Sequence, residues 1–249
     1  MQAVATSRLS VRAQALARWV RLIAGLWVFA AGLSLMLHAN LGLSSWDVLH
    51  DALAAATPIS FGHAVIAVSL AVVIGSLMLG VKPGPGTVAN VGLIGLFTDM
   101  IVSSSVLDVL PTFTGVRVVT LVAGILAIGF GTALYIGAAL GAGPRDSLML
   151  AMAQRFRTSP GTARTAIELS VLVGGTALGG AVGVGTLLFT LGIGPVINLS
   201  FRILGMPTAS RARSHVLTDV GQAFSTWLRR GRLSSTDPKE RSRYTGGRI

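Results

Sequence analysis

Asp47, His50 and Asp51 stand at i, i+3 and i+4, so a helix over residues 44–56 places all three on one face, where they can hold a cation or relay protons. The competing reading of the same spacing is the hydrated polar face of an interfacial helix. A further aspartate, Asp146, closes the segment Gly141-Ala142-Gly143-Pro144-Arg145-Asp146, just as Asp47 closes Gly42-Leu43-Ser44-Ser45-Trp46-Asp47. Ser44 suits a helix cap and Pro144 a first helical position, which puts both carboxylates in an opening turn. There they accept orphan amide protons and complement the positive end of a helix dipole, whatever else they do.

Arg164 and Glu168 lie four residues apart on an apolar stretch. A carboxylate within a membrane segment is costly and marks either a functional site or a local ion pair. Asp99 and Asn198 fall near the middle of two other apolar stretches and are expected to form a central polar pair, or a helix-bridging hydrogen bond. His38, Asn40, His63 and Asn90 sit near the ends of apolar stretches, as interfacial or interhelical hydrogen bonders. No Ser/His/Asp grouping, zinc motif or phosphate-binding loop is present, the four histidines are dispersed, and cysteine is absent. Catalysis, a metal centre and a bound cofactor are therefore not expected.

The two aspartate segments belong to a duplication. The offset, 146 − 47 = 99, also carries Gly32 onto Gly131, Gly62 onto Gly161, Gly75 onto Gly174, Gly80 onto Gly179, Gly86-Thr87 onto Gly185-Thr186 and Gly95 onto Gly194 without a gap. Between residues 22–99 and their partners about a third of the positions are identical, well above chance for a chain rich in Gly, Ala and Leu.

The elements that carry these residues are membrane helices. The chain is 52% hydrophobic and only 12% charged, too apolar for a soluble domain of 249 residues. Six stretches approach the roughly 20 helical residues that cross a hydrocarbon core about 30 Å thick: Trp19–His38, Ser60–Leu79, Thr87–Leu107, Val116–Leu140, Ala163–Gly180 and Thr186–Leu204. The expected organisation is an all-α bundle: a basic arm (1–18), a first three-span repeat (19–110), a second, inverted repeat (111–206) and a basic tail (207–249). Segments 44–56 and 143–156 are too short to span and are expected to be interfacial or re-entrant. A basic arm before an apolar run also describes a signal peptide, but the first span aligns with the fourth, which cannot be one, so it is retained.

The formal charge of +11 is unevenly spread. Arg8, Arg12, Arg18 and Arg21 precede or open the first span, Lys82 lies in the second loop, and Arg145, Arg155, Arg157 and Arg164 lie in the fourth. The third loop holds only Arg117, and the tail most of the rest. Both termini in the cytoplasm place nearly all of the basic residues inside. Three spans per copy then give the copies opposite orientations, an arrangement typical of secondary transporters. It sets Trp46-Asp47 outside with the Gly183-Val184-Gly185-Thr186 turn, and Arg145-Asp146 inside with the Gly84-Pro85-Gly86-Thr87 turn, as two gates. Trp46 then suits the outer aromatic belt and Arg145 the cytoplasmic side.

Glycines at 75, 80, 174, 175, 179, 180 and 183 are read as close-packing positions, with Gly175 and Gly179 in a small-xxx-small spacing. In the tail, Val216, Leu217, Val220, Phe224, Trp227 and Leu228 recur at helical spacing among arginines, the pattern of an amphipathic helix on anionic cytoplasmic lipid. Nucleic acid is not an expected partner. The leading expectation is a small transporter or channel for a solute or ion, working as a homo-oligomer; the alternative is a membrane accessory or regulatory protein without transport activity.

Leu41-Gly42 with Trp46-Asp47-Val48-Leu49, Leu140-Gly141-Ala142-Gly143-Pro144-Arg145-Asp146-Ser147-Leu148-Met149 and the two Gly-X-Gly-Thr turns resemble the bacterial YczE/YitT-type integral membrane proteins, over residues from about 20 to 205. In that family a proline commonly precedes the first Trp-Asp, where this chain has Ser45. The resemblance implies a multi-pass protein of the bacterial cytoplasmic membrane and supplies no substrate.

Overall fold

The computed structural model describes residues 2–110, 113–141, 143–158 and 160–205. Among them every regular element is a helix: α1 (Gln2–Ala39), α2 (Ser45–Ala56), α3 (Phe61–Met78), α4 (Pro85–Ser103), α5 (Thr114–Gly137), α6 (Pro144–Phe156), α7 (Pro160–Ala177) and α8 (Val184–Ile203). The amphipathic helix expected in the tail lies outside the described residues. The basic arm is not a separate element, because α1 begins at Gln2 and runs through it into the first apolar stretch.

Helix starts follow local chemistry. Ser44 and Ser60 cap α2 and α3 through their side chains, and Pro85 and Pro144 occupy opening positions of α4 and α6, where a missing amide proton costs nothing. Among the described residues five helices are long and apolar enough to cross a membrane: Ala13–Ala39 within α1, then α3, α4, α5 and α8. The helix α7 is as long as α3, but Arg164 and Glu168 reduce its hydropathy. Outward-facing Trp19, Val20, Ile23 and Trp27 on α1, and Leu187, Leu188 and Leu191 on α8, leave an apolar surface suited to lipid.

The centre is an antiparallel pair. Leu22, Leu26, Phe29, Leu33 and Met36, three or four residues apart on α1, pack against Leu121, Ile125 and Ile128 on α5. Gly25 abuts Gly131 and Gly32 abuts Gly124, backbone against backbone. Under the 99-residue offset these two contacts exchange places. Around the pair, α4 packs on α1 and α8 on α5, while each short helix crosses to the other repeat, α2 onto α7 and α6 onto α3.

Candidate functional site

Two necks, residues 41–44 and, in the second copy, 140–141 and 143, lead into the short helices. Gly42 (φ +119°) and Gly141 (φ +133°) hold backbone angles that side chains rarely adopt, and each redirects the chain after α1 or α5. The Leu41 carbonyl accepts from the Gly185 amide at 2.7 Å, and the Leu140 carbonyl from the Gly86 amide at 2.8 Å. Thr87 and Thr186 close the turns that present those amides, accepting from the Gly84 and Gly183 amides at 3.1 and 3.3 Å. The expected pairing of each neck with the glycine turn of the other copy is therefore present, and its four turn residues, Gly86, Thr87, Gly185 and Thr186, are all buried.

A matched pair of arginines reinforces the necks. Arg18 donates to the Ala138 carbonyl at 2.8 Å and to Ala139, and Arg117 to the Ala39 carbonyl at 2.8 Å and to Asn40. Each satisfies the orphan carbonyls at the end of the opposite copy's long helix. Sequence reading assigned these arginines only to topology; the signal available was that 18 + 99 = 117.

The necks bring the first turns of α2 and α6 together. Ser44 accepts from the Asp47 amide at 3.3 Å and donates to its carboxylate. The other carboxylate oxygen, Asp47 Oδ1, meets His50 Nδ1 at 3.0 Å and an Arg145 guanidinium nitrogen at 3.4 Å. Asp47 and His50 are each 1% exposed, so the expected hydrated face does not exist and α2 is inserted in the bundle. Burial alone raises the Asp47 carboxyl, but the bonds from His50 and Ser44 and the Arg145 charge outweigh it and hold the group below its ordinary range. Burial lowers His50 by more than the adjacent carboxylate raises it, so the imidazole is neutral at pH 7. An ionised carboxylate only accepts, which assigns the imidazole proton to Nδ1 and leaves Nε2 as a bare acceptor. That atom is buried without a partner.

Arg145 also lies over the Trp46 ring, 5.1 Å from its centroid, and the indole donates to Glu168 Oε1 at 3.2 Å. Arg164 sits between Asp146 at 3.8 Å and Glu168 at 4.0 Å. These residues, with Met149 and Ile167, line a cavity of about 20 Å³, room for about one water and no more.

Three expectations need correction. Asp47 and Asp146 do not face opposite gates: their first turns meet, because the necks return both helix starts toward the interior. Trp46, 3% exposed, is no belt residue, and Arg145 stacks on it instead of reaching a membrane face. Asp99 and Asn198 form no central pair. Asp99 lies near the end of α4 and accepts from the Gly62 amide at 2.8 Å and from Ser60, with His63 at 3.0 Å, so it caps α3; Asn198 is exposed on α8. Asp51 leaves its own cluster too, anchoring α2 by accepting from the Ala181 amide at 2.9 Å. Asn90 is buried beside Gly143. Of the glycines, Gly175 and Gly180 press against Val48 and Leu49 of α2, whereas Gly75, Gly80, Gly174 and Gly179 meet nothing, so the small-xxx-small pair is not the contact. Among the described residues no three His, Asp or Glu side chains converge as metal ligands.

A family of unknown function, DUF6198, matches residues 16–202. The chain belongs to this family. It is 37% identical over 183 residues to an uncharacterized protein of Haemophilus influenzae, covering 74% of this chain and 83% of that one. To the uncharacterized membrane protein YczE of Bacillus subtilis it is 34% identical over 185 residues, 74% of this chain and 85% of the relative. No solved structure matches. The YczE-type resemblance noted in the sequence thus holds, and with five helices among the described residues long and apolar enough to cross a membrane, the chain is a helical membrane protein. The match ends at residue 202, so the site lies wholly within the family region and the tail beyond it.

Proposed function

We propose that the chain is a small secondary transporter of the bacterial cytoplasmic membrane, in which α2 and α6 together close the solute path. In this reading α7 serves as the sixth span, its Glu168 and Arg164 paired with Trp46 and Asp146 in the interior. The repeats are inverted and both termini are cytoplasmic, as the basic-residue bias requires. The observation that carries the proposal is reciprocity. Each short helix is seated on the other repeat, and both first turns line one small cavity, where Trp46 of α2 meets Arg145 and Asp146 of α6. Half-helices whose N-termini converge on an interior site are how inverted-repeat transporters present dipoles and charges to a solute. In this reading a cavity that admits only one water belongs to a closed state, from which either neck can release.

Association into a homo-oligomer and contact of the tail with anionic lipid belong to the same reading. The test is a thermal-stability screen of the purified protein against ions, amino acids, small carboxylates and lipids, followed by flux of any stabilising solute into proteoliposomes. A solute binding the folded state at a hundred times its Kd adds about 2.7 kcal/mol. Stabilisation lost in Arg145→Gln and Glu168→Gln, together with flux, is the expected result. A flat screen with no flux would defeat the proposal.

A further inference from the structure

One atom of the site is left over by the charge pairing. His50 Nε2 is buried with no hydrogen-bond partner, on a side chain 1% exposed, and the nearby Phe61 ring stands edge-on at 5.9 Å. A bare buried acceptor is expensive to maintain, and the bundle could have held an apolar residue there, as the second copy does with Met149. The other nitrogen of the ring meets Asp47 Oδ1, the same oxygen that Arg145 approaches. Two donors, a neutral imidazole and a guanidinium, competing for one carboxylate oxygen make a switch: strengthening one contact weakens the other.

We propose that Asp47, His50 and Arg145 form a proton-binding site, in which a proton taken up on His50 Nε2 displaces the Arg145 guanidinium from Asp47 and loosens α2 from α6. The transfer balances simply. A hydronium ion gives its proton to the Nε2 lone pair and leaves water, while Nδ1 keeps its hydrogen and its bond to Asp47. The product is an imidazolium ion paired with a carboxylate, and Arg145, held at 3.4 Å against 3.0 Å for His50, is the partner released. Arg145 is also the more exposed partner, with its side chain 34% exposed and Trp46 as an alternative contact. The proton stays on His50, and release of Arg145 alters the packing on Trp46, whose indole is bonded to Glu168.

Other charged groups around α2 have engagements of their own. Asp51 holds the Ala181 amide, His63 and Asp99 pair with each other and with Ser60, and Asp146 and Glu168 share Arg164. On α1, His38 Nε2 is likewise buried without a partner, but no carboxylate contact accompanies it. In the closed packing the neutral imidazole is favoured, whereas hydration on opening restores its ordinary affinity for protons. The open state thus binds the extra proton, and acid favours opening by up to about tenfold per pH unit below roughly pH 6.5. Within the transport reading, on which this sense of coupling rests, the proton is the driving ion.

The experiment uses the full chain in nanodiscs, with Trp19, Trp27 and Trp227 replaced by Phe so that Trp46 alone reports, and with isotope-labelled histidine. Lowering the pH from 7.5 to 5 should titrate the His50 imidazole from its Nδ1–H form and change Trp46 emission with the same midpoint. His50→Asn should abolish both signals and His38→Asn neither. Arg145→Gln, which removes the competing charge, should move the midpoint upward. A silent His50, a Trp46 transition that survives in His50→Asn, or a midpoint indifferent to Arg145 overturns the site. If His50→Asn does not fold, the Arg145→Gln midpoint still decides. None of these readouts needs a solute: titration without flux defeats the transport reading alone, and flux without titration defeats the proton site alone.

Discussion

Replacing Gly32 by Ala and Gly174 by Ala makes the same chemical change with opposite consequences. A Cβ on Gly32 would stand 2.7 Å from the Gly124 carbonyl oxygen, 2.8 Å from the Ile128 amide nitrogen and 2.9 Å from Ala127 Cβ. Two of these neighbours are backbone and cannot rotate away. Ordinary contact begins at 3.4 Å, so α1 and α5 must separate by 3.4 − 2.7 = 0.7 Å at that point. A gap of roughly 0.5–1 Å forfeits a quarter to a half of each dispersion well along the seam, and overpacking of this kind costs about 1–3 kcal/mol. Alanine returns about 0.5–1 kcal/mol through its better helix propensity. At Gly174 nothing lies within 4 Å of the added Cβ, so only the propensity gain remains. The difference between the two variants therefore isolates the overpacking, about 1–3 kcal/mol, read as unfolding midpoints in one detergent or lipid at roughly 2–4 °C per kcal/mol. Gly124→Ala, Gly25→Ala and Gly131→Ala should behave like Gly32→Ala. Equal stability of Gly32→Ala and Gly174→Ala would refute the close α1–α5 seam.

Arg18→Ala and Arg117→Ala should each cost about 0.5–1 kcal/mol, allowing for partial exposure, and by equal amounts, because each removes the same pair of carbonyl contacts; a loss confined to one variant contradicts the reciprocal capping. Asp99→Asn should weaken α3 by about 1 kcal/mol as a lost cap and leave any flux unchanged, whereas a selective loss of flux would return Asp99 to the site. In this cysteine-free chain, Ala56→Cys and Arg155→Cys lie at equivalent exposed ends of α2 and α6 and should react with an impermeant thiol reagent from opposite sides of the membrane; same-side labelling rules out inversion. The two titrating groups also separate by pH. His50, depressed in the folded state, lowers stability as pH falls below about 6.5, whereas Asp47 keeps its contribution until pH falls below about 3.9, its unfolded value. In His50→Asn the stability lost between pH 6.5 and 4 should diminish and the acid limb below it should persist; an unchanged profile would mean that His50 is not depressed by burial.

Much of the scaffold was legible because it rests on local chemistry. Ser44 and Ser60 as caps, Pro85 and Pro144 as helix starts, and the apolar stretches all follow from bonds and burial within a few residues. The 99-residue offset went further: it foretold that each neck would meet the other copy's Gly-X-Gly-Thr turn. It said nothing of Arg18 and Arg117, whose partners are backbone carbonyls that any sequence supplies. Asp99 misled because its position was counted along an apolar stretch taken to end at Leu107, whereas α4 ends at Ser103 and the carboxylate lies beside the start of α3.

By itself the sequence determined that this is a duplicated all-helical membrane chain with two short helices that each open on an aspartate, because composition, period and capping are properties of contiguous residues. Only the tertiary structure decided that Asp47 and Arg145 share one site. A twelve- or thirteen-residue helix has the same length and propensities on a membrane face or inside the bundle. Its depth is set by the direction in which Gly42 and Gly141 send the necks, and by the Leu41 and Leu140 carbonyls finding amides more than fifty residues away along the chain.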